Sequence, residues 1–421
     1  MKTTMELLNA NKQVSDWKIN VDHKESYELF FVKGKLETVR CTDTCDKKVT
    51  VYVDHGEYKG DSQFFVYPST TEKQIEDLIA EAVEKAMLIN NRGYSLPQQE
   101  TGVFQVESNF SEYAPADLAA AIAKCVFDAK AAEGAVLNSV EVFVNKHTER
   151  VINSCGMDKT QTSYDAMVEA IPTYNGENQS VELYEQYNFN TLDEAAVTRR
   201  IEETLEEVKA RYEAQVPQQS LCCDVVLNRL ELNGLFWNIA SDLHYATVYS
   251  HSNLWSKGEQ IQKERTGDPI TITLCGEVSG SVHSRKFDDD GMSLGSICVV
   301  EDGIAVNYYG SNRYGQYLNE EPTGDLRCLQ VAPGTASMPE GKYLEVVSMS
   351  GLQVDFFSDY IGGEIRLAYY HDGEKKIPVT GISISGSASY VLSTITLSGN
   401  LCVYDGYAGP EKAVLKGMKI F

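Results

Sequence analysis

The chain has 421 residues, with 37 Lys plus Arg against 61 Asp plus Glu and a formal charge of −24. That length exceeds what one hydrophobic core organises and predicts two or three domains. So acidic a chain gains nothing from neutralising phosphates, so nucleic acid is excluded as an expected partner and the charge reads as a solubilising surface.

Hydrophobic residues at 43% and charged residues at 23% are ordinary for a globular protein. The opening "MKTTMELLNANKQVSDW" lacks an apolar run of about 7–15 residues, and no window reaches the roughly 18 apolar residues of a membrane span. A cytoplasmic chain without a membrane partner is expected. Ten scattered cysteines fit reduced thiols there and give no disulfide framework.

In chain order, residues 1–95 read as an N-terminal α/β domain. "SYELFFVKGKLETVRCT" alternates around a turn at Gly34, and "KVTVYVDHGEYKGDSQFFVYP" predicts a second pair of strands. In "STTEKQIEDLIAEAVEKAMLI", Ile75, Leu78, Ile79, Ala82, Val83 and Ala86 recur at helical spacing behind a Ser/Thr cap. The polar stretch "NNRGYSLPQQETG" marks the boundary.

Residues 96–217 form a predicted central α/β domain. Its helix "APADLAAAIAKCVFDAKAAEG" starts at Pro115, three strand-like runs follow within 139–174, and a long helix carries Val197, Ile201, Leu205, Val208 and Tyr212 on one face. Residues 218–421 form a large, Gly-punctuated and mostly antiparallel β domain. The predicted class is α+β, with two N-terminal α/β segments ahead of the β-rich domain.

Chemistry is sparse. Asp288, Asp289 and Asp290 of "RKFDDDGMSLGS" have the oxygen donors for a hard cation, but they lack alternating spacing and a distal glutamate, and an acidic turn relaxed by Gly291 is the competing reading. "CTDTC" (Cys41, Cys45) has zinc-compatible spacing but no second ligand pair, and adjacent Cys222 and Cys223 point to opposite strand faces. No nucleophile elbow occurs at a strand-to-helix turn, and His23, His55, His147, His283 and His371 are isolated. In "FWNIASDLHYATVYSH", Asp242 and His244 share a face in extended chain, whereas His251 has the opposite parity.

Several segments, taken in order, resemble the TldD/PmbA family, described both as modulators of DNA gyrase and as cytoplasmic peptidases. They include "YELFFVKGKLETVRCTDTCDKKVTVYVDHGEYKGDSQFF", "QIEDLIAEAVEKA", "ERVINSCGM" with Asn153, Ser154 and Gly156, "SHSNLWSKGEQI", "FDDDGMSLGSICVVEDGIAVNYYGS", "VAPGTAS" and "GGEIRLAYYHDGEKKIPVTGISISG". Each motif is weak alone, and their order over nearly the whole chain carries the resemblance.

The resemblance implies paired subunits. One, of the TldD type, carries HExxxH on a helix with a C-terminal cysteine as a further ligand, and its glutamate activates a metal-bound water. The other, of the PmbA or TldE type, shares the fold without the motif. Here the corresponding helix is "NRLELNGLFWNIASD", and the motif positions fall on Trp237 to Asp242. Trp237 and Asp242 then stand at ligand positions and Asn238 at the base position. An indole does not ligate, and an amide takes up no proton near neutral pH. Cys402 is the sole candidate for the cysteine position.

No catalytic residue, metal ligand or cofactor is therefore assigned. Trp237, Asn238 and Asp242 are expected to line a cleft as a degenerate motif. The expected function is a PmbA/TldE-like subunit that binds unfolded peptide, with proteolysis supplied by a TldD-type partner. The alternative is a non-catalytic homodimeric scaffold of the same fold.

Overall fold

The structure is a computed structural model describing residues 3–177, 179–335 and 339–421. Lys2 and the Ala336–Ser337 end of "VAPGTAS" lie outside the described residues.

The first half is built on an eight-stranded sheet. Its long strands are β1 (Asp16–Val32), β2 (Lys35–His55), β5 (Ala135–Asn153) and β6 (Asp158–Asn175). Shorter strands are β3 (Tyr58–Val66), β4 (Thr101–Gln105), β7 (Ser180–Glu182) and β8 (Glu185–Phe189), and the path runs β3-β2-β1-β5-β6-β4. Segments 1–95 and 96–217 thus share one sheet, joined where β1 pairs antiparallel with β5 from Lys18↔Asn153 to Val32↔Ser139. The runs expected as two hairpins share β2, one continuous strand through residues 35–55, because β1 templates it along most of its length.

Side chains alternate across a strand, so the sheet has two unlike faces. On one, Trp17, Ile19, Val49, Val51, Val53 and Phe64 meet helices α1 (Thr4–Ala10) and α2 (Glu72–Ala86), the latter supplying Ile75, Ile79, Ala82, Val83 and Ala86. Further along that face, Leu29, Val140, Val142, Val144, Ala166 and Val168 are covered by α3 (Pro115–Asp128) and α4 (Glu194–Glu213). α2 begins with a reciprocal cap between Thr71 and Gln74, and α3 with Pro115 in its first turn. The opposite face is polar and carries Lys18, Asn20, Asp22, Lys48, Glu149, Lys159 and Gln161.

The C-terminal half holds a six-stranded and a nine-stranded sheet around one core. Strand β9 (Asp224–Asn228) leads into α5 (Arg229–Asp242). The Asn228 side chain caps α5 by accepting the Leu230 amide at 2.8 Å, and its own amide group donates to the carbonyls of Val346 and Val347. Leu232, Leu235, Phe236, Ile239, Ala240 and Leu243 recur at helical spacing and enter the core shared by both sheets. The short helices α6 (Tyr245–Tyr249), α7 (Asn312–Leu318) and α8 (Ala388–Thr394) complete this half. Among the described residues no helix is long and apolar enough to cross a membrane.

α7 clasps the two halves. Asn312 and Gln316 side chains donate to the Ser95 carbonyl, and the Tyr317 hydroxyl donates to the Arg92 carbonyl.

Candidate functional site

Helix α5 carries the three residues expected to line a cleft. Trp237 is half-buried against the core. Asn238 is exposed and spends its amide on the Gly234 carbonyl one turn back, at 2.8 Å. Asp242 is 9% exposed, and its two oxygens accept the amides of Leu254 and Trp255 at 2.7 and 3.0 Å. Burial raises the Asp242 carboxyl above its usual range, while the two amides pull it back. An indole, an amide bonded to its own helix and a carboxylate filled by two amides do not fit the donor set of a catalytic metal.

The nearby histidines diverge. His244 caps α6: its Nδ1 accepts the Ala246 amide at 3.2 Å, which leaves Nε2 facing Asp325 Oδ1 at 3.4 Å. Its ring packs edge-on against Tyr309, with centroids 5.0 Å apart. His251 is exposed just beyond α6 at φ +55°. Asp242 turns to the 254–255 loop, so the three groups form no site. Cys402 lies half-buried against the C-terminal core, its thiol pushed up to about 11 by burial. Among the described residues no group of three or more His, Cys, Asp or Glu is arranged to hold a metal ion.

The Asp288–Asp290 run is a docking turn. The Gly291 amide closes it onto the Asp288 carbonyl at 2.9 Å, and Gly291 sits at φ +86°, where a Cβ would come 3.0 Å from Met157 Cγ and Sδ. Asp288 is 4% exposed, and its carboxylate accepts the amides of Asp290 and Met292 at 2.9 Å and of Asp325 at 3.0 Å. Burial, then the charge of Asp290, push Asp288 up to about 7 against the pull of those amides.

The turn seats on the polar face of the N-terminal sheet. Asp290 pairs with Lys18, and Asn20 donates to the Asp289 carbonyl at 2.7 Å. Fully buried Lys159 donates to the Gly291 carbonyl at 2.9 Å and to Ser293 Oγ at 2.7 Å. Arg285 pairs with Glu149 at 2.7 Å. Beside the turn lies a cavity of about 290 Å³ lined by Asn20, Asp22, Lys48, Arg150, Arg285 and Arg327 among others. Asp325 links this junction to the N-terminal cap of α6, since its amide reaches Asp288 and its carboxylate faces His244.

Sequence reasoning missed the polar face. Its signal is the alternation within β1, β5 and β6, where Asp22, His147 and Asp165 lie on one side. His147 stands between Asp165 at 2.9 Å and Asp22 at 3.5 Å. Burial lowers its pKa, but the hydrogen bonds and charges of the two carboxylates outweigh that and push it up to about 9. The expected Asn-Ser-x-Gly turn closes the β5–β6 hairpin: buried Asn153 accepts the amides of Cys155 and Met157, and Gly156 takes φ +89°.

A helix-covered sheet docked by its polar face onto a β-rich domain is an α+β architecture. The fold covers 99% of this chain and 100% of TldE from Thermococcus kodakarensis, with a TM-score of 0.79 and 16% identity. It likewise covers 99% of this chain and 97% of a putative modulator of DNA gyrase from Bacteroides thetaiotaomicron (TM-score 0.78, 13% identity). For a putative modulator from Thermotoga maritima the coverage is 96% of each chain (TM-score 0.71, 16% identity). No curated protein matches the chain. Residues 220–420 match the family model of the PmbA/TldA metallopeptidase C-terminal domain.

Proposed function

We propose that this chain is a TldE-like subunit that binds unfolded peptide and leaves hydrolysis to a TldD-type metallopeptidase partner. The observation that carries this reading is the chemistry of α5. Trp237 offers no lone pair, Asn238 no basicity, and both Asp242 oxygens are engaged by backbone amides. A helix so committed does not assemble a metal-bound water and its base.

Peptide would enter at the junction of the halves, where the polar sheet face, the Asp288 turn and the mixed charges of Lys48, Arg285 and Arg327 leave open volume. Charged groups of both signs over a polar sheet face suit a polar, extended peptide chain better than a small apolar ligand. In this reading the protein works in the cytoplasm, without nucleic acid, membrane or cofactor. A domain limit at 217 is kept as part of the proposal, whereas segments 1–95 and 96–217, which share one sheet, are taken as a single unit.

The test is co-purification from the native host, followed by digestion of an unfolded peptide with and without the co-purifying subunit. Cleavage confined to the paired sample supports the reading. Metal-dependent cleavage by the isolated chain at a comparable rate overturns it.

A further inference from the structure

The helices over the N-terminal sheet form two separate covers, α1 and α2 over one apolar cluster and α3 and α4 over another. On that same face, at the start of α3, lies a cavity of about 450 Å³, within the usual size of a small-molecule site. Cross-strand neighbours share a face, so the register sets its floor. One row runs Asp43, Glu25, Lys146 and Tyr164 across β2, β1, β5 and β6, and the next runs Cys41, Tyr27 and Val144. Phe110 and Tyr113, just ahead of α3, and Leu118 within it form the opposite wall.

Three tyrosines meet here with nothing to do. Tyr27 and Tyr164 lean on the core under α3 and α4, which holds their rings, and Tyr113 stands half-exposed at the rim. Among the described residues none of the three hydroxyls has a hydrogen-bond partner, and none of the three rings stacks on another ring or carries a cation. The aromatic cluster at α7 differs, because Arg313 already stands over Tyr94, Tyr314 and Tyr317.

The charge left over in the cavity is negative. Lys146 is held by Glu25 at 2.7 Å, whereas Asp43 is 75% exposed and pairs with His23 at 2.6 Å. The positive end of the α3 dipole is answered by Asp117 in the first turn. Aromatic faces attract cations, so the rings and the surplus carboxylate favour the same sign of ligand. An anion would meet both carboxylates and three ring faces, and a purely apolar ligand would leave the hydroxyls unpaired.

We propose that this cavity binds a small organic cation, an alkylated ammonium whose apolar shell lies against Tyr27, Tyr113 and Tyr164 and whose charge is balanced by Asp43 and Glu25. The site is on the face opposite the Asp288 junction, so its failure leaves the peptidase-subunit reading untouched.

The probes are choline, its uncharged isostere 3,3-dimethylbutan-1-ol and the anion 3,3-dimethylbutanoate. Cys41 is exposed and lines the cavity, so an occupant should slow its alkylation by iodoacetamide, read by peptide mass mapping, while exposed Cys45 outside the lining serves as control. Choline should protect Cys41 at about a tenfold lower concentration than the isostere, and the anion should give no protection. Calorimetric titration should find one choline per chain. Tyr164→Leu and Tyr113→Leu should each weaken choline several-fold, whereas Tyr164→Phe, which keeps the ring, should not. Glu25→Gln releases Lys146 and should reverse the preference toward the anion. Thermal unfolding checks that each variant keeps the fold. Equal protection by choline and its isostere overturns the proposal, as does no protection by choline, or choline binding indifferent to both leucine variants.

Discussion

Asp242 accepts the backbone amide of Trp255 at 3.0 Å while its second oxygen accepts that of Leu254 at 2.7 Å. The last residue of α5 therefore anchors the segment after α6. Replacing it by alanine strands two amides, one of them buried, at a cost of about 2–3 kcal/mol. Chemical denaturation of Asp242→Ala measures this. Asp242→Asn keeps one acceptor oxygen and should lose roughly half as much. Asn238→Ala, which removes an exposed bond within one helix, should change stability by less than about 0.5 kcal/mol.

The junction of the halves rests on Lys18 and Asp290. Lys18 is nearly buried, whereas Asp290 keeps about a quarter of its side chain exposed. Burial alone lowers the Lys18 pKa, and pairing with Asp290 outweighs that and raises it. Lys18→Met should cost about 2–3 kcal/mol, below the range for a fully enclosed pair. A double-mutant cycle with Asp290→Asn should return a coupling of about 1 kcal/mol or more.

Gly291 holds the turn that enters this junction. Gly291→Ala requires a left-handed backbone of a side-chain-bearing residue and pushes a methyl onto Met157. The expected loss is about 1–2 kcal/mol, read as an earlier denaturation midpoint. Gly34 also has positive φ but open space around it, so Gly34→Ala should show the backbone strain alone and a smaller loss.

Stability should fall as pH rises from mildly acidic to alkaline values. The folded pKa of His147, at about 9, lies above its ordinary 6.5, so its contribution is complete below pH 6.5 and lost as pH climbs through about 9. Asp288 and Glu231, each pushed up to about 7 by burial first, hold protons in the folded state that the unfolded chain has released. They add the same sign of slope between about pH 4 and 7. Glu345 works the other way. Burial would raise it, but Lys412 and His371 outweigh that and hold it at about 2, so its contribution disappears as pH falls from about 4.5 toward 2. Denaturation across pH should therefore show His147→Gln flattening only the 6.5–9 limb.

Much of the fold was legible because its signals are local. The apolar spacing of Ile75, Ile79 and Val83 marks α2, that of Val197, Ile201 and Leu205 marks α4, and the Asp-Gly step at Gly291 marks a turn. The pairing of Lys18 with Asn153 was not legible. It joins residues far apart in the chain, and nothing at either position names the other. The docking of the Asp288 turn escaped for a related reason: its carboxylates are satisfied by backbone amides and by Lys18, partners that leave no motif. On α5 the sequence could reject Trp237 as a ligand from chemistry alone, yet the occupation of Asp242 by two amides required coordinates.

The most direct test of the central claim is to incubate the isolated chain with an unfolded peptide and excess zinc, then measure bound and cleaved peptide in the same sample. The account predicts saturable binding with the peptide recovered intact, and cleavage only after a TldD-type subunit is added. Zinc-dependent cleavage by the isolated chain, or no binding at all, would contradict it.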